Sequence, residues 1–355
     1  MARACNRDGA GDMAGLRRAP AFWTSGGWAA TLLAPVSRIW GAVAAANLRR
    51  APTVHAPVPV IAVGNFTAGG AGKTPTTAAL VRLARRAGFA PAVLSRGYGG
   101  RLAGPVRVDA SRHAAMDVGD EPLLHARLAP TIVARDRAAG LALLPDCGAD
   151  LLVLDDGFQN PTLAKDLSIV VVDRGFALGN GRVMPAGPLR APLADQLDRA
   201  SALVAISSGE ADAPGLEALL AEAEGRSLPV FGAHLVPHEP EKLAGRRVLA
   251  WAGIGRPEKF AATLRAAGAE VVDLVAFGDH QPIGEVEADD LLARATTAGL
   301  DLVTTEKDAA RLAGITTPAV MRLALASRVA AVDLVFDDET AVAALLGTLP
   351  RARHP

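Results

Sequence analysis

Cysteine is almost missing from this 355-residue sequence, which contains only Cys5 and Cys147. The two lie far apart and form no C-x-x-C pattern, which disfavours a disulfide scaffold and a structural zinc site and fits a reducing compartment. Net charge is missing as well, because 37 basic side chains balance 37 acidic ones. This balance argues against a nucleic-acid-binding protein, so any electrostatic targeting must be local.

The sequence also lacks an uninterrupted apolar run of the roughly 20 residues that a membrane-spanning helix needs. The apolar stretch near the start of the chain is broken by Pro35 and Arg38, and no internal repeat or low-complexity tract is present. Half of the residues are nevertheless apolar. A chain of this length and composition can bury a substantial core, and its length suggests two domains.

Short β-branched runs alternate with helical patterns from residue 58 onward. The runs are nearly continuous in apolar residues, which is typical of parallel strands covered by helices on both faces. We therefore expect an α/β fold built on a doubly wound parallel sheet. The runs are VPVIAV (58–63), PAVLS (91–95), PTIVA (130–134), LLVLD (151–155) and SIVVVD (168–173).

A second alternating series begins at RRVLAWAGI (246–254) and continues to about residue 336, after the composition shifts to Ser, Gly, Glu and Ala around 207–229. This series predicts a second, smaller α/β domain. We divide the chain into an N-terminal segment (1–50), a core domain (51–225) and a smaller C-terminal domain (226–345).

The first 50 residues carry seven Arg against two Asp, and three of the four tryptophans, Trp23, Trp28 and Trp40. Basic residues mixed with tryptophan are typical of a membrane interface, and an apolar stripe opposite Arg38 and Arg49 predicts an amphipathic helix lying in that interface. A helix packed on the protein's own core and a cleaved signal peptide are the alternatives. The stripe comprises Trp28, Leu32, Val36, Ile39, Trp40 and Val43.

The stretch GNFTAGGAGKTPTT (64–77) follows the first apolar run and is close to the phosphate-binding pattern G-x-x-x-x-G-K-[ST], although Thr67 replaces the first glycine. Its glycines let backbone N–H groups turn towards phosphate oxygens at a helix N-terminus. Lys73 would act in catalysis at the β- and γ-phosphates, and Thr74 would ligate Mg²⁺. A glycine-rich turn that binds nothing is the alternative. The predicted nucleotide-binding residues are Thr67, Ala68, Gly69, Gly70, Ala71, Gly72, Lys73 and Thr74.

Asp155 and Asp156 end the run LLVLDD, at the edge of the predicted sheet where such sheets bind ligands. Phosphate-loop proteins hold their metal ion with a carboxylate in this position. We predict that at least one of the two coordinates Mg²⁺, directly or through water, and two solvated turn acids are the alternative. With the phosphate loop, the predicted fold is a P-loop NTPase-like doubly wound parallel sheet, a smaller α/β domain and an N-terminal membrane-associated helix.

The motifs, taken in order, resemble the tetraacyldisaccharide 4'-kinase (lipid A 4'-kinase) family between about residue 23 and about residue 312. The resemblance implies transfer of the γ-phosphate of ATP, with Mg²⁺, to the 4'-hydroxyl of a tetraacylated glucosamine disaccharide 1-phosphate. It also implies attachment to an anionic membrane surface, the cytoplasmic face of the bacterial inner membrane, and implies no protein or nucleic-acid partner. The motifs are GNFTAGGAGKTP (64–75), SRGYGG (95–100), GDEP (119–122), DDGFQ (155–159), PAGPLR (185–190), GRPEKF (255–260), FGDH (277–280) and TTEKDAAR (304–311).

The resemblance also assigns roles to individual residues. Asp120 of GDEP matches the family's catalytic acidic residue, expected to be the base that takes the hydroxyl proton, and His280 of FGDH matches the histidine that works with it. From the residues alone, Asp120 could be a helix cap and His280 an ordinary core or surface histidine. Arg190 either contacts a phosphate or pairs with an acid, and Ser95 and Tyr98 are candidate acceptor contacts. TTEKDAAR is diagnostic of the family but has no assigned role.

The sequence departs from the family pattern at Asn160, Ala191 and Gln281, where relatives usually have His, Glu and His. These positions put details of acceptor binding in doubt. The main rival function is a membrane-associated nucleotide switch that hydrolyses its nucleotide without an acceptor. A guanine-specific switch should carry N-K-x-D after a strand, and the nearest string, TEKD, has the wrong register.

Overall fold

The structure, a computed structural model, describes residues 19–207, 209 and 211–350. Its strands and helices are numbered in chain order, and most of the strands form one large sheet. The strands of the large sheet are β1 (Val60–Asn65), β2 (Pro91–Ser95), β3 (Val106–Arg107), β4 (Thr131–Val133), β5 (Leu151–Leu154), β6 (Leu167–Asp173), β7 (Ala202–Ser207), β8 (Val230–Pro237) and β13 (Val332–Phe336).

A second, smaller sheet is formed by β9 (Arg247–Ala252), β10 (Glu270–Ala276), β11 (Asp301–Thr305) and β12 (Ser327–Ala330). The helices are α1 (Phe22–Ser25), α2 (Trp28–Leu32), α3 (Ala34–Leu48), α4 (Lys73–Arg86), α5 (Ala115–Val118), α6 (Asp120–Ala126), α7 (Arg137–Gly140), α8 (Leu144–Cys147), α9 (Leu193–Leu197), α10 (Leu216–Gly225), α11 (Pro257–Ala266), α12 (Glu285–Ala298), α13 (Glu306–Leu312), α14 (Pro318–Ala326) and α15 (Glu339–Gly347).

The order of the large sheet is β13-β8-β7-β6-β1-β5-β2-β4-β3, with β1 at its centre. Its pairings are parallel from β8 to β4, and only the edge strands β13 and β3 run antiparallel to their neighbours. Ile61 and Val63 of β1 pack in the core that includes α4, whereas Val60 and Ala62 pack in the core on the opposite face. Both faces are therefore covered, which explains why the strands read as continuous apolar runs.

The small sheet has the order β10-β9-β11-β12 and is parallel throughout. Its centre is the fully buried Trp251, whose indole N–H donates to Ser327 Oγ at 3.0 Å. A buried indole needs such a partner, because an unpaired polar group in a core is costly. The predicted α/β fold, with a large parallel sheet and a smaller second sheet, is confirmed.

Sheet pairing differs from the predicted division of the chain at residue 225. Strands β8 and β13 fall within the predicted smaller domain (226–345), but both pair in the large sheet, with Val230 opposite Leu203 and Val332 opposite Pro237. The small sheet therefore lies in the chain between two strands of the large one. Local composition cannot reveal a pairing between strands this far apart in the sequence, and the domain limits stay a prediction.

The described part of the N-terminal segment, residues 19–50, contains the three helices α1, α2 and α3 rather than one continuous helix. The small-residue side of α3 packs on the body of the protein, where Ser37 Oγ donates to the Val183 carbonyl at 2.6 Å. The predicted apolar stripe lies on the other side, and its six side chains are between 50% and 81% exposed. The predicted charges of Arg3, Arg7, Arg17 and Arg18 fall on residues outside the described part of the chain. None of the described helices combines the length and apolar character that crossing a bilayer requires.

Candidate active site

The phosphate loop lies between β1 and α4, as the sequence predicts. Gly72 caps α4 with a φ of 98°, a left-handed conformation that suits glycine, and Lys73 is the first residue of the helix. Lys73 Nζ donates to Asn65 Oδ1 at 3.3 Å and to the Gly69 carbonyl at 3.4 Å. Residues 69–74 line a cavity of about 930 Å³ between the two sheets. The glycine-rich loop and its lysine therefore lie at a cavity between the two sheets, at the N-terminus of a helix.

Thr67 and Ala68 are held by the segment that carries PAGPLR. The Ala68 N–H donates to the Pro188 carbonyl at 2.8 Å, and Arg190 Nε donates to the Thr67 carbonyl at 3.1 Å. The Ala68 amide is thus already occupied, which differs from its predicted phosphate contact. Arg190 Nη2 also lies 3.6 Å from Asp156 Oδ2, so this arginine faces both the loop and an acid.

The two predicted metal ligands, Asp155 and Asp156, have different environments. Asp155 is 1% exposed, accepts from Thr77 Oγ1 at 3.2 Å, and places Oδ2 3.2 Å from His125 Nε2. Asp156 Oδ1 is buried, lies 3.9 Å from Lys73 Nζ, and accepts no hydrogen bond from any described residue. Asp155 Oδ2 and Asp156 Oδ1 are thus both buried oxygens that accept no hydrogen bond from the described residues, the condition that a cation satisfies.

The smaller sheet contributes cations to this cleft. Lys307, at the start of α13, forms an ion pair with Glu121 Oε1, which also accepts from Thr74 Oγ1 at 3.0 Å. Glu121 thus joins the phosphate loop to the TTEKDAAR motif. On the other side of the loop, Arg256 and Lys259 pair with the buried Asp173 at 2.8 and 2.9 Å. Both contacts tie the small sheet to carboxylates of the larger one.

Asp120 and His280 meet across the cleft, as the family resemblance implies. Asp120 is buried at the start of α6, and its Oδ2 lies 3.3 Å from His280 Nδ1. Arg311 Nη2 lies 2.6 Å from the same oxygen, and Oδ1 accepts the neighbouring Glu121 N–H at 2.9 Å. His280 has a φ of 57°, which is rare for a residue with a side chain and turns its ring towards Asp120.

The cations around these carboxylates keep them ionised. Burial alone would raise the pKa of Asp120, but a hydrogen bond from His280 and the charges of Lys307 and Arg311 hold it well below its ordinary value. For Glu121 the burial effect is likewise outweighed, mainly by the charge of Lys307, and its pKa is about 2. Burial disfavours the Lys307 ammonium, but Glu121 and Asp120 raise its pKa above the ordinary value.

The remaining sequence candidates lie around the same cavity. Ser95 ends β2 and is buried, and the exposed Tyr98 ring stands edge-on to His280 with centroids 5.0 Å apart. The residues that depart from the family pattern have local structural partners. Asn160 Oδ1 accepts the Thr162 and Leu163 N–H groups, the Ala191 carbonyl accepts from Gln196, and Gln281 Oε1 accepts the Gly278 N–H.

The sequence did not predict several residues that the fold brings close to the phosphate loop and to Asp120. They are Glu121, His125, Arg137, Lys307 and Arg311. Arg137 is buried, and its Nη2 donates to the Asp156 carbonyl at 2.7 Å. Two of the missed cations lie in TTEKDAAR and one missed carboxylate lies in GDEP. The opposite charges of these two motifs were the available signal, but nothing in the sequence placed them together.

Replacing Glu121 with Gln should make the protein less sensitive to acid. The folded pKa of Glu121 is about 2 against an ordinary 4.5, so its ion pair stabilises the fold above pH 4.5 and this contribution is lost as the pH falls towards 2. Between pH 6 and pH 3, wild type should lose up to about 2 kcal/mol more stability than Glu121→Gln. Melting temperatures in metal-free buffer measure this, with the exposed Glu241→Gln as a control that should follow wild type. Equal acid losses for wild type and Glu121→Gln would contradict the pairing.

The sequence matches the family model described as tetraacyldisaccharide-1-P 4'-kinase over residues 29–350. A tetraacyldisaccharide 4'-kinase of Methylorubrum extorquens is 55% identical over 338 residues, which are 94% of this chain and 100% of that protein. One from Nitrobacter winogradskyi is 51% identical over 332 residues, 93% of this chain and 96% of that protein.

The fold is similar to that of a solved structure, LpxK from Aquifex aeolicus in complex with ATP. The TM-score is 0.67 at 24% sequence identity, over 90% of this chain and 99% of that one. That likeness concerns the fold, whereas the identities with the curated relatives extend over nearly the whole chain. On these matches, the chain belongs to the tetraacyldisaccharide-1-P 4'-kinase family.

Proposed function

We propose that this chain transfers the γ-phosphate of ATP to the 4'-hydroxyl of a tetraacylated glucosamine disaccharide 1-phosphate in lipid A biosynthesis. One observation carries the proposal within the family: the phosphate loop and His280, which is paired with Asp120, line a single cavity. Phosphoryl transfer requires little covalent chemistry from the protein beyond positioning and charge stabilisation. The cleft supplies both, with cations and amides on one side and a proton acceptor on the other.

The triphosphate would bind at residues 69–74. Lys73 Nζ now contacts two neutral oxygens at 3.3 and 3.4 Å, and charged phosphate oxygens are stronger acceptors. We call the part of the chain that carries the small sheet the smaller unit and the part that carries the large sheet the larger unit. Gly255 of the smaller unit lies close to this loop, since a Cβ added to it would be 3.5 Å from the Gly70 nitrogen. The GRPEKF segment therefore covers the loop and helps to exclude water from it.

The donor set of the cleft fits Mg²⁺. Thr74 Oγ1 and Asp156 Oδ1 would hold the ion, and Asp155 Oδ2, which accepts no hydrogen bond, offers a second carboxylate oxygen for it. Among the described residues no group of three or more His, Cys, Asp or Glu side chains is arranged to hold a metal, so phosphate and water oxygens would complete the shell. Bound there, Mg²⁺ would neutralise charge on the transferred phosphoryl group.

His280 is the group best able to take the proton from the acceptor hydroxyl. Asp120 is held by Arg311 with a strongly lowered pKa, which makes it a weak base. With Nδ1–H donating to Asp120, His280 can accept a proton at Nε2, which lies 3.7 Å from Asp279 Oδ1. We therefore give Asp120 the role of orienting and stabilising the imidazole, rather than the role of base expected from the family resemblance.

The exposed stripe on α2 and α3 supports attachment to the anionic cytoplasmic face of the inner membrane, where the acceptor lipid would lie. Six neighbouring apolar side chains facing solvent form a patch that suits a lipid interface. Trp40 Nε1 donates to the Arg190 carbonyl at 3.4 Å, and Trp23 Nε1 donates to the Pro185 carbonyl at 3.0 Å. The membrane-facing helices thus hold the PAGPLR segment beside the phosphate loop.

Incubation with ATP, Mg²⁺ and the disaccharide acceptor should add one phosphate to the lipid, detected by mass spectrometry. Lys73→Ala should lower this rate by at least about 100-fold, because the lysine neutralises charge on the phosphates. Lys242→Ala is the matched control, since Lys242 is exposed and pairs only locally with Glu239. ATP hydrolysis that is equally fast with and without acceptor, and leaves the lipid unchanged, would instead support the nucleotide switch.

Placing charges on the apolar stripe should release the protein from vesicles that contain anionic phospholipid. The double variant Trp28→Glu, Ile39→Glu should bind at least about tenfold more weakly, because both side chains are exposed and available for burial in lipid. Val286→Glu, Leu325→Glu places the same charges at equally exposed apolar sites of the smaller unit and should bind like wild type. Equal binding by both double variants would contradict this role of α2 and α3.

A further inference from the structure

TTEKDAAR is a motif to which the proposed function assigns no role. It begins at the end of β11, where Thr305 Oγ1 donates to Asp308 Oδ2 at 2.6 Å and accepts the Asp308 N–H at 3.2 Å. This reciprocal pair fixes the start of α13 and the buried Asp308. Asp308 Oδ1 in turn accepts the Gly253 N–H at 3.0 Å. The motif therefore locks the first turn of a helix onto the end of β9.

Arg311 lies one turn further along α13 and projects from this fixed base. Its Nη1 donates to Asp308 Oδ1 at 2.8 Å and to the Gly253 carbonyl at 2.6 Å. Its Nε donates to Asp120 Oδ2 at 2.8 Å, across the cleft. The Arg311 side chain is only 11% exposed, so water screens its charge little. Nη1 of the guanidinium is therefore fixed by Asp308 and Gly253, while Nε binds Asp120.

The same anchor also holds His280. The His280 N–H donates to the Gly253 carbonyl at 3.2 Å, so His280 and Arg311 share one acceptor. Space around Gly253 is tight, because a Cβ there would meet Arg311 Nη1 and Asp308 Oδ1 at 3.1 Å each. Arg311 and the His280 backbone are therefore fixed relative to each other, and Asp120 is placed against both.

We propose that Arg311 is a positioning residue for phosphoryl transfer: it fixes the Asp120 carboxylate where Oδ2 orients the His280 imidazole. This inference rests on the proposed kinase function. Arg311 acts on the imidazole mainly through Asp120, and its Nη2 also lies 3.5 Å from His280 Nδ1. Asp120 holds Nδ1–H of His280 and so leaves Nε2 to the acceptor hydroxyl. Since Asp120 belongs to the larger unit, the oriented imidazole exists only when the two units are in contact.

Arg311→Met should lower kcat by about 100-fold while the KM for ATP changes by less than about twofold, because a misplaced catalytic group costs this much and the phosphate loop is untouched. Arg311→Lys should fall between Met and wild type, since an ammonium keeps the charge but cannot reach Asp120, Asp308 and Gly253 together. Arg322→Met is the matched control, as Arg322 forms an exposed ion pair with Asp289 and should retain wild-type kcat.

Two further measurements separate positioning from a purely structural ion pair. The double variant Arg311→Met, His280→Ala should be no slower than His280→Ala alone, because Arg311 acts only through the imidazole. Losses that multiply would overturn the proposal, as would a kcat for Arg311→Met close to wild type. If Arg311→Met fails to fold, Arg311→Lys carries the same test, with an unchanged kcat counting against the role.

The ¹⁵N signals of His280 give a readout that does not depend on kinase activity. In wild type they should report one tautomer, protonated at Nδ1, and in Arg311→Met or Arg311→Lys they should shift towards an average of both. His280→Gln assigns the signals among the seven histidines. If wild type phosphorylates no lipid, the proposed function fails and these signals alone judge the inference. Identical signals in all three proteins would overturn it.

Discussion

The contact between Asp120 and Arg311 is the interaction on which the rest of the site depends. It joins Asp120, at the start of α6, to Arg311 of α13 at 2.6 Å, in a setting where both side chains are largely buried. Removing one partner of such a pair would leave an uncompensated charge, which is far more costly than the pair itself is stabilising. The contact therefore specifies how the two units meet more than it adds to stability.

The same arrangement recurs around the cavity. Lys307 faces Glu121, and Arg256 with Lys259 faces Asp173, so in each contact the smaller unit supplies the cations and the larger unit supplies the carboxylate. These contacts flank the phosphate loop on two sides. Bringing the units together thus keeps Asp120 and Glu121 ionised, covers the loop and completes the Asp120–His280 pair at once. Nucleotide binding, water exclusion and proton transfer would therefore all require that the two units are in contact.

The sequence was sufficient for elements defined by local pattern. The continuous apolar runs predicted the parallel strands, and the strand, glycines and GKT predicted the loop and a helix with Thr74 in its first turn, which is α4. Contacts between distant segments were not predictable in the same way. The pairing of β8 and β13 in the large sheet, and the contact of Arg311 with Asp120, each depend on how separate segments pack. For Asp120 the family resemblance supplied the residue, but the buried guanidinium of Arg311 beside it became visible only in the fold.

The most direct test is a crystal structure of the protein with Mg²⁺ and a non-hydrolysable ATP analogue. The account predicts the triphosphate on residues 69–74, its terminal phosphate facing His280, and Asp120 still bound by Arg311 with Oδ2 against His280 Nδ1. A triphosphate bound away from the loop would contradict the account. So would an Asp120 carboxylate that turns away from both His280 and Arg311 when the nucleotide is bound.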